Sequence, residues 1–337
     1  MKHSFKNKPT VAYAYLAGGL LLALSAVLGI LLGSTRLDVG RLFDALWRGD
    51  LDSPELRILL YVRLPRVWGA VVCGGALAVS GAVIQGVLNN RLASPSIIGV
   101  NAGAGLAVTV CSALGLLGGW QMSLFAFLGA FAAVMPISLG AKRWGASKGT
   151  VILMGVALNS LLGALSDTVT TISPDVGIMT AHFKVGDFSA VTYARLIPAT
   201  AVILAALAVL LTLSNQLDVL TLGDDTARGL GLHTGVAGTA FLLLAALLAG
   251  AAVSICGLLS FVGLLVPHAV RRAVGSGSRR LLPLCALWGG GFVSLCDTLS
   301  RVLFAPYEIP VGIIMAFMGA PFFVFILIKG KGGHAHA

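Results

Sequence analysis

The sequence predicts an all-α polytopic membrane protein with about ten transmembrane helices. Of its 337 residues, 57% are hydrophobic and only 11% are charged, whereas a soluble domain carries about 25% charged residues. Apolar stretches of about 20 residues, long enough to span a hydrocarbon core, follow one another along the chain. The longest polar stretches, 34–66 and 169–195, leave no room for a soluble domain, so residues 1–337 are expected to form one transmembrane domain.

Ten stretches qualify as spans. The first follows the basic segment MKHSFKNKPT, but its run of about 23 apolar residues exceeds the 7–15 of a signal peptide, which favours a retained span. The stretch 257–270 has only 14 residues, a length that also fits a re-entrant segment. The predicted spans are 11–33, 67–88, 97–118, 120–140, 150–168, 196–214, 236–256, 257–270, 281–300 and 309–328.

The distribution of positive charge predicts the orientation of these spans. If the N-terminus is cytoplasmic and ten spans alternate, 14 of the 23 Lys and Arg residues lie inside, against three acids. This asymmetry is typical of membrane proteins, so the net charge of +10 reports orientation and not nucleic-acid binding. Without a crossing at 257–270, both the segment 271–280 and the Lys329 end would carry their charges outside. We therefore expect a short crossing there, and both termini in the cytoplasm.

Motifs for an energy source or an active site are missing from the sequence. The stretch GAKRWGASK (140–148) comes nearest to a phosphate-binding loop, but Ala146 stands where that motif needs Lys. The five Cys residues lie in apolar segments without ligand-like spacing, so no metal site is expected. Asp167 and Asp297 lie near the predicted outer ends of their spans. Acids near the interface can reach water, so these two alone give little support for a proton relay. The chain therefore reads as a transport path, driven by an ion gradient or by another protein.

A compact polar segment, TLGDDTARGLGLHTG (221–235), separates two apolar runs on the predicted inner side. Thr221 is expected to cap a short helix whose first turn holds Asp224 and Asp225, the charge favoured at a helix N-terminus. Gly229 and Gly231 weaken and end that helix. An ordinary capped loop helix and a docking site for a cytoplasmic partner both fit this pattern.

Five stretches, in order, resemble the FecCD-type (BtuC-like) permease subunits of ABC importers for vitamin B12, haem and iron–siderophores. They extend over nearly the whole chain. They are VRLPR (62–66), LAVSGAVIQGVLNNRLASPSIIGVNAGAG (77–105), LGDDTARGLGL (222–232), SFVGLLVPHAVRR (260–272) and EIPVGIIMAFMGAPFFVFIL (308–327).

The resemblance implies a permease, not an enzyme, with ten helices per subunit and a path at the interface with a second permease subunit, most simply a homodimer. Two cytoplasmic ATPases would bind ATP and Mg and dock on the chain, which would need no cofactor of its own. An extracytoplasmic binding protein would deliver the ligand. The segment implied to contact the ATPases, called here the coupling segment, consists of Leu222, Gly223, Asp224, Asp225, Thr226, Ala227, Arg228, Gly229, Leu230 and Gly231.

The resemblance also implies two further sites. Arg63, Arg66 and Arg301 would receive acidic side chains of the binding protein, although contact with lipid headgroups or local pairing, such as Arg301 with Asp297, is the alternative. Asn90 and Leu92 match positions that can form a cytoplasmic gate.

Three stretches depart from the family pattern. Arg91 replaces the usual Pro, SKGT (147–150) lacks a small hydroxyl pair that some members have, and 180–193 differs from the common outer loop. The stretch 89–105 is most similar to the iron-chelate branch, so a ferric siderophore is the expected substrate, with haem or cobalamin as alternatives. A gradient-driven secondary transporter would need midplane ion sites and inverted repeats, and neither is clear in the sequence.

Overall fold

A computed structural model describes residues 8–35, 38–50, 52–116 and 118–331. All regular structure in these ranges is helical, as predicted. Leu59–Arg63 forms a π-helical turn between the third and fourth α-helices. The α-helices are α1 Lys8–Leu31, α2 Val39–Arg48, α3 Pro54–Ile58, α4 Leu64–Val87, α5 Val100–Ala113, α6 Gly119–Trp144, α7 Lys148–Ile172, α8 Pro174–Val185, α9 Tyr193–Thr212, α10 Ser214–Thr221, α11 Asp224–Gly229, α12 Thr234–Cys256, α13 Val262–Val274, α14 Ser278–Val302 and α15 Val311–Lys331.

Seven helices in the described residues are long and apolar enough to cross a membrane, and they coincide with seven of the ten predicted spans. These are α1, α4 together with α3 and the π-helical turn before it, α6, α7, α9, α12 and α14. The other three predicted spans coincide with α5, α13 and α15. Helix α5 has 14 residues and α13 has 13, so both are shorter than the seven long helices. A crossing at α5 and α13, and with it the count of ten and the position of the termini, stays a prediction.

The predicted span 97–118 is too long because the residues before Gly99 form turns. The Asn90 side chain accepts a hydrogen bond from the Leu92 backbone N–H at 2.8 Å, which competes with helical bonding. The segment reaches helical geometry only at Val100. Its 14 helical residues span about 21 Å, less than a hydrocarbon core of about 30 Å.

Three helices form the centre of the bundle. In its most apolar window α4 has 83% of its residues buried, α12 has 72% and α14 has 67%, whereas α7 has 17%. Small residues let these helices approach closely, as expected where the hydrophobic effect gives little drive for association. A Cβ placed on Gly74 of α4 would lie 2.3 Å from the carbonyl oxygen of Gly289 in α14. The glycine-rich composition therefore packs helices within this subunit.

Helix α4 separates two ends of the molecule, about 36 Å apart along its 24 residues. At its C-terminal end, Val87 and Leu88 line a cavity of about 200 Å³ together with Lys148 and Asp224, and this is called the coupling end. At its N-terminal end Arg66 contacts Asp297 of α14, and this is called the arginine end. The coupling segment and the three arginines thus lie at opposite ends, as the predicted topology requires.

Candidate coupling and docking sites

The coupling segment forms the short helix α11, with Asp224 and Asp225 in its first turn as predicted. Two glycines set its ends, because Gly223 has φ 102° and Gly231 has φ 83°, a region that residues with a Cβ rarely adopt. The predicted cap by Thr221 is wrong. Thr221 ends α10, and its hydroxyl donates to the Asp218 carbonyl at 2.7 Å. Gly223 occupies the cap position because the chain reverses there with a positive φ.

Contacts tie α11 to two longer helices, and they tie the preceding helix α10 to a third. Lys148, the first residue of α7, places its Nζ 3.1 Å from Asp224 Oδ1. Arg228 Nε donates to the hydroxyl of Thr234, the first residue of α12, at 3.2 Å. Just before the segment, Asp218 in α10 accepts a hydrogen bond from the backbone N–H of Ser278, the first residue of α14, at 2.8 Å. A displacement of α11 would therefore reach the ends of α7 and α12 directly and, through α10, the end of α14.

The face of α11 that points away from these longer helices is exposed. Ala227 is fully buried, but Leu222 is 56% exposed and Leu230 is 63% exposed. Arg228 and Gly229 between them are also exposed. Two uncovered leucines beside charged side chains give this face the apolar and polar groups that a protein partner needs.

The gate residues lie at the coupling end, in the turn between α4 and α5. Asn90 is half-buried and holds the turn through its bond to Leu92, whose side chain is 46% exposed. Arg91 is exposed beside them. The residues SKGT, where no hydroxyl pair was expected, do bring two hydroxyls together, because Ser147 Oγ lies 2.9 Å from Thr150 Oγ1 at the start of α7. The role of Asn90 and Leu92 as a gate stays a prediction.

The three arginines expected to dock the binding protein are buried in the chain, and their role in docking stays a prediction. Arg63 is 2% exposed, Arg66 5% and Arg301 3%. Arg63 donates to the carbonyls of Ile30 and Leu31, both at 2.6 Å. Their guanidinium groups bond atoms of the same chain.

Arg63 and Arg301 instead cap the C-terminal end of α1. The last carbonyls of a helix have no partner within it, and cations are favoured there. Arg301 donates to the carbonyls of Gly29 at 3.1 Å and Leu32 at 3.3 Å, next to the two carbonyls that Arg63 binds. Arg301 from α14 and Arg63 from the turn before α4 thus donate hydrogen bonds to four consecutive carbonyls, those of residues 29–32.

Arg66 joins two acids at the same end. Its Nε lies 3.0 Å from Asp297 Oδ1, and its Nη1 lies 2.6 Å from Glu308 Oε2. Asp297 also pairs with Arg301 at 3.2 Å, which is the local pairing that the sequence left as the alternative. The Ser34 hydroxyl donates to Glu308 at 2.7 Å. Sequence reasoning missed Glu308 and Ser34, although an acid within a span, such as Asp297, already signals a buried partner.

Glu308 lies in the loop between α14 and α15, and its carboxyl group is kept ionised. Burial raises its pKa, but the hydrogen bonds from Ser34 and Arg66 and the charge of Arg66 outweigh burial, so that the pKa is lowered from its ordinary value. The loop is therefore held to α4 and to the residues after α1 by a charged group.

Helix α7 exposes a polar stripe within an apolar span. Ser160, Asp167, Thr168 and Thr171 are exposed and lie on one face of the helix. The hydroxyls of Thr168 and Thr171 bond carbonyls of their own helix. Within the described residues the Asp167 carboxylate has no hydrogen-bond or ion-pair partner. Because an ionised group is costly in hydrocarbon, this face needs water or another protein rather than lipid.

Comparisons with known proteins agree on one family. The FecCD transport family matches residues 21–329. The hemin transport system permease protein HmuU of Yersinia pestis is 36% identical, over 93% of this chain and 95% of its own. The iron-uptake system permease protein FeuB of Bacillus subtilis (strain 168) is 35% identical, over 93% and 94%.

A solved structure described as an inward-facing ABC transporter of the metal-chelate type is similar with a TM-score of 0.83 and 29% identity, covering 93% of this chain and 98% of that one. Together with the seven long apolar helices, these matches make the protein a multi-pass permease of the inner membrane. The chain belongs to the FecCD transport family.

Proposed function

We propose that this chain is the permease subunit of an ABC importer that carries a ferric siderophore into the cytoplasm, driven by a separate ATPase. Relatives named for hemin transport and iron uptake support an iron chelate as the substrate class. Haem is the first alternative and cobalamin the second. The observation that carries the proposal is α11, an exposed helix tied by side-chain contacts to the ends of two spans, α7 and α12.

In this proposal the ATPase pushes on the open face of α11. The ion pair of Asp224 with Lys148 passes the displacement to α7, and the contact of Arg228 with Thr234 passes it to α12. The bond of Asp218 to Ser278 passes it to α14. Rocking of such helices about a central path is a general means of alternating access.

The polar stripe of α7 faces the path in this proposal. A second copy of the chain would bring its own α7 opposite, and the two would enclose a water-filled passage. Asp167, Thr168 and Thr171 would then meet water instead of lipid, which removes the cost of exposing them. A pathway lined by hydroxyls and apolar side chains suits a chelate that crosses intact, because no group of three or more metal-ligating residues stands in the described residues to strip the metal.

The proposed coupling is tested by Arg228→Glu in the complete transporter, reconstituted with its ATPase and binding protein in vesicles. We expect loss of ATP-dependent ferric-siderophore uptake while ATP hydrolysis continues, because the reversed charge disrupts both the contact with Thr234 and the docking face. Arg143→Glu, an exposed reversal outside the coupling segment, is the matched control and should leave uptake unchanged. Equal uptake in both variants would contradict the role of α11.

A further inference from the structure

Helix α2 differs from the other helices because it is sharply divided into an apolar and a charged side. Leu42, Phe43 and Trp47 lie on one side of its ten residues. The charged residues, Arg41, Asp44 and Arg48, lie on the other side. Neighbours three and four residues apart share a face, so this sequence produces a strongly amphipathic helix that is too short to span.

The chain holds α2 in place but leaves its apolar side uncovered. Ala45 is only 5% exposed, and α2 packs on α3. Arg41 Nη1 lies 3.8 Å from Glu55 Oε1 of α3, which ties the charged side to the bundle. Phe43 nevertheless remains 67% exposed and Trp47 84% exposed. Two large aromatic side chains in water would be unfavourable, so we expect an apolar environment to cover them. The surfaces around α2 indicate which one.

An exposed apolar stripe runs along α1, the membrane-spanning helix that comes before α2 in the chain. One side of α1 exposes more than half of each of five apolar side chains along its length: Leu16, Leu20, Leu24, Val27 and Leu31. Helix α2 begins eight residues after the end of that stripe, at the arginine end.

Other aromatic side chains mark the membrane boundary at the same end. Tyr61, in the turn before α4, is 66% exposed, and Trp120, at the start of α6, is 63% exposed. Exposed Trp and Tyr at the ends of spans are typical of the interface between hydrocarbon and water. Helix α2 packs on α3, which ends three residues before Tyr61, so α2 is held at the same end of the chain as Tyr61.

We propose that α2 lies in the plane of the membrane surface at the arginine end, with Phe43 and Trp47 inserted into the phospholipid layer and Asp44 and Arg48 in water. Amphipathic helices of this kind insert about 5–10 Å into the boundary between headgroups and acyl chains. The anchored helix fixes the segment after α1, in which Ser34 bonds Glu308 and Thr35 accepts from Arg63. Insertion of α2 into the bilayer thereby helps to hold in place the hydrogen bonds of Arg63 and Glu308 at the arginine end.

Spin labels on the two sides of α2 test this proposal in the full chain, reconstituted in vesicles of phosphatidylethanolamine and phosphatidylglycerol. The five native cysteines are buried, so labels attach to Phe43→Cys, Trp47→Cys, Asp44→Cys or Arg48→Cys in separate variants. We expect labels at 43 and 47 to collide with oxygen severalfold more, relative to a water-soluble nickel chelate, than labels at 44 and 48. Equal, water-like values at all four positions would overturn the proposal.

A second measurement leaves the cysteines untouched. The difference in fluorescence between the native chain and Trp47→Phe isolates Trp47, and lipids brominated on the acyl chain should quench that difference strongly. No quenching would overturn the proposal. Water-like labels at 43 and 47 that become immobile only when the binding protein is added would overturn it in favour of a protein-docking surface.

Discussion

Arg66 shows how one residue connects the arginine end. Its guanidinium group binds Asp297 of α14 and Glu308 of the following loop, and it is itself 5% exposed. The sequence could place Arg66 at the start of a span, but it could not show that the side chain is buried against acids. Those acids are far away along the chain, Asp297 by 231 positions and Glu308 by 242.

Removing this side chain should cost more than removing an exposed arginine. We expect Arg66→Ala to lower the stability of the detergent-solubilised chain by about 3–5 kcal/mol, because it leaves the buried carboxylate of Asp297 without one partner. Arg143→Ala, on an exposed arginine, should change it by about 0.5 kcal/mol or less. Thermal unfolding measures both variants. Similar midpoints would show that the network adds little.

At the scale of the element, α11 was predictable because its signals are local. Acids in the first turn and glycines at the end mark a short helix within ten residues of sequence. The cap was misplaced because Thr is a common residue at the N-cap position, whereas the chain reverses at Gly223, whose positive φ this reversal needs. The contacts to α7 and α12 could not be predicted, because Lys148 lies 76 positions before Asp224 and no pattern links them.

Two glycines of the coupling segment should respond differently to alanine. Gly231→Ala forces a Cβ into φ 83° and should strain the end of α11 by about 1–2 kcal/mol. Gly229→Ala lies within the helix with no atom within 4 Å of the new Cβ, so it should stabilise α11 by up to about 1 kcal/mol. Hydrogen exchange of the segment 222–232 measures both. Faster exchange in both variants, or in neither, would contradict the assigned geometry.

At the scale of the whole molecule, composition and charge predict a polytopic permease because apolar length and positive-inside bias are sums over many residues. Seven of the predicted spans are confirmed as long apolar helices. The short helices α5 and α13 resist prediction because their ends depend on turns and on close helix approach. Gly81 of α4, for example, approaches Gly263 of α13 so closely that a Cβ on Gly81 would lie 1.9 Å from the Gly263 carbonyl oxygen.

The energy source of transport tests the account most directly. The chain is purified with its ATPase, reconstituted with the binding protein, and assayed for ferric-siderophore uptake with ATP alone or with a proton gradient alone. We predict that uptake requires ATP hydrolysis and is independent of the proton gradient. Uptake driven by the gradient in the absence of ATP would contradict the account.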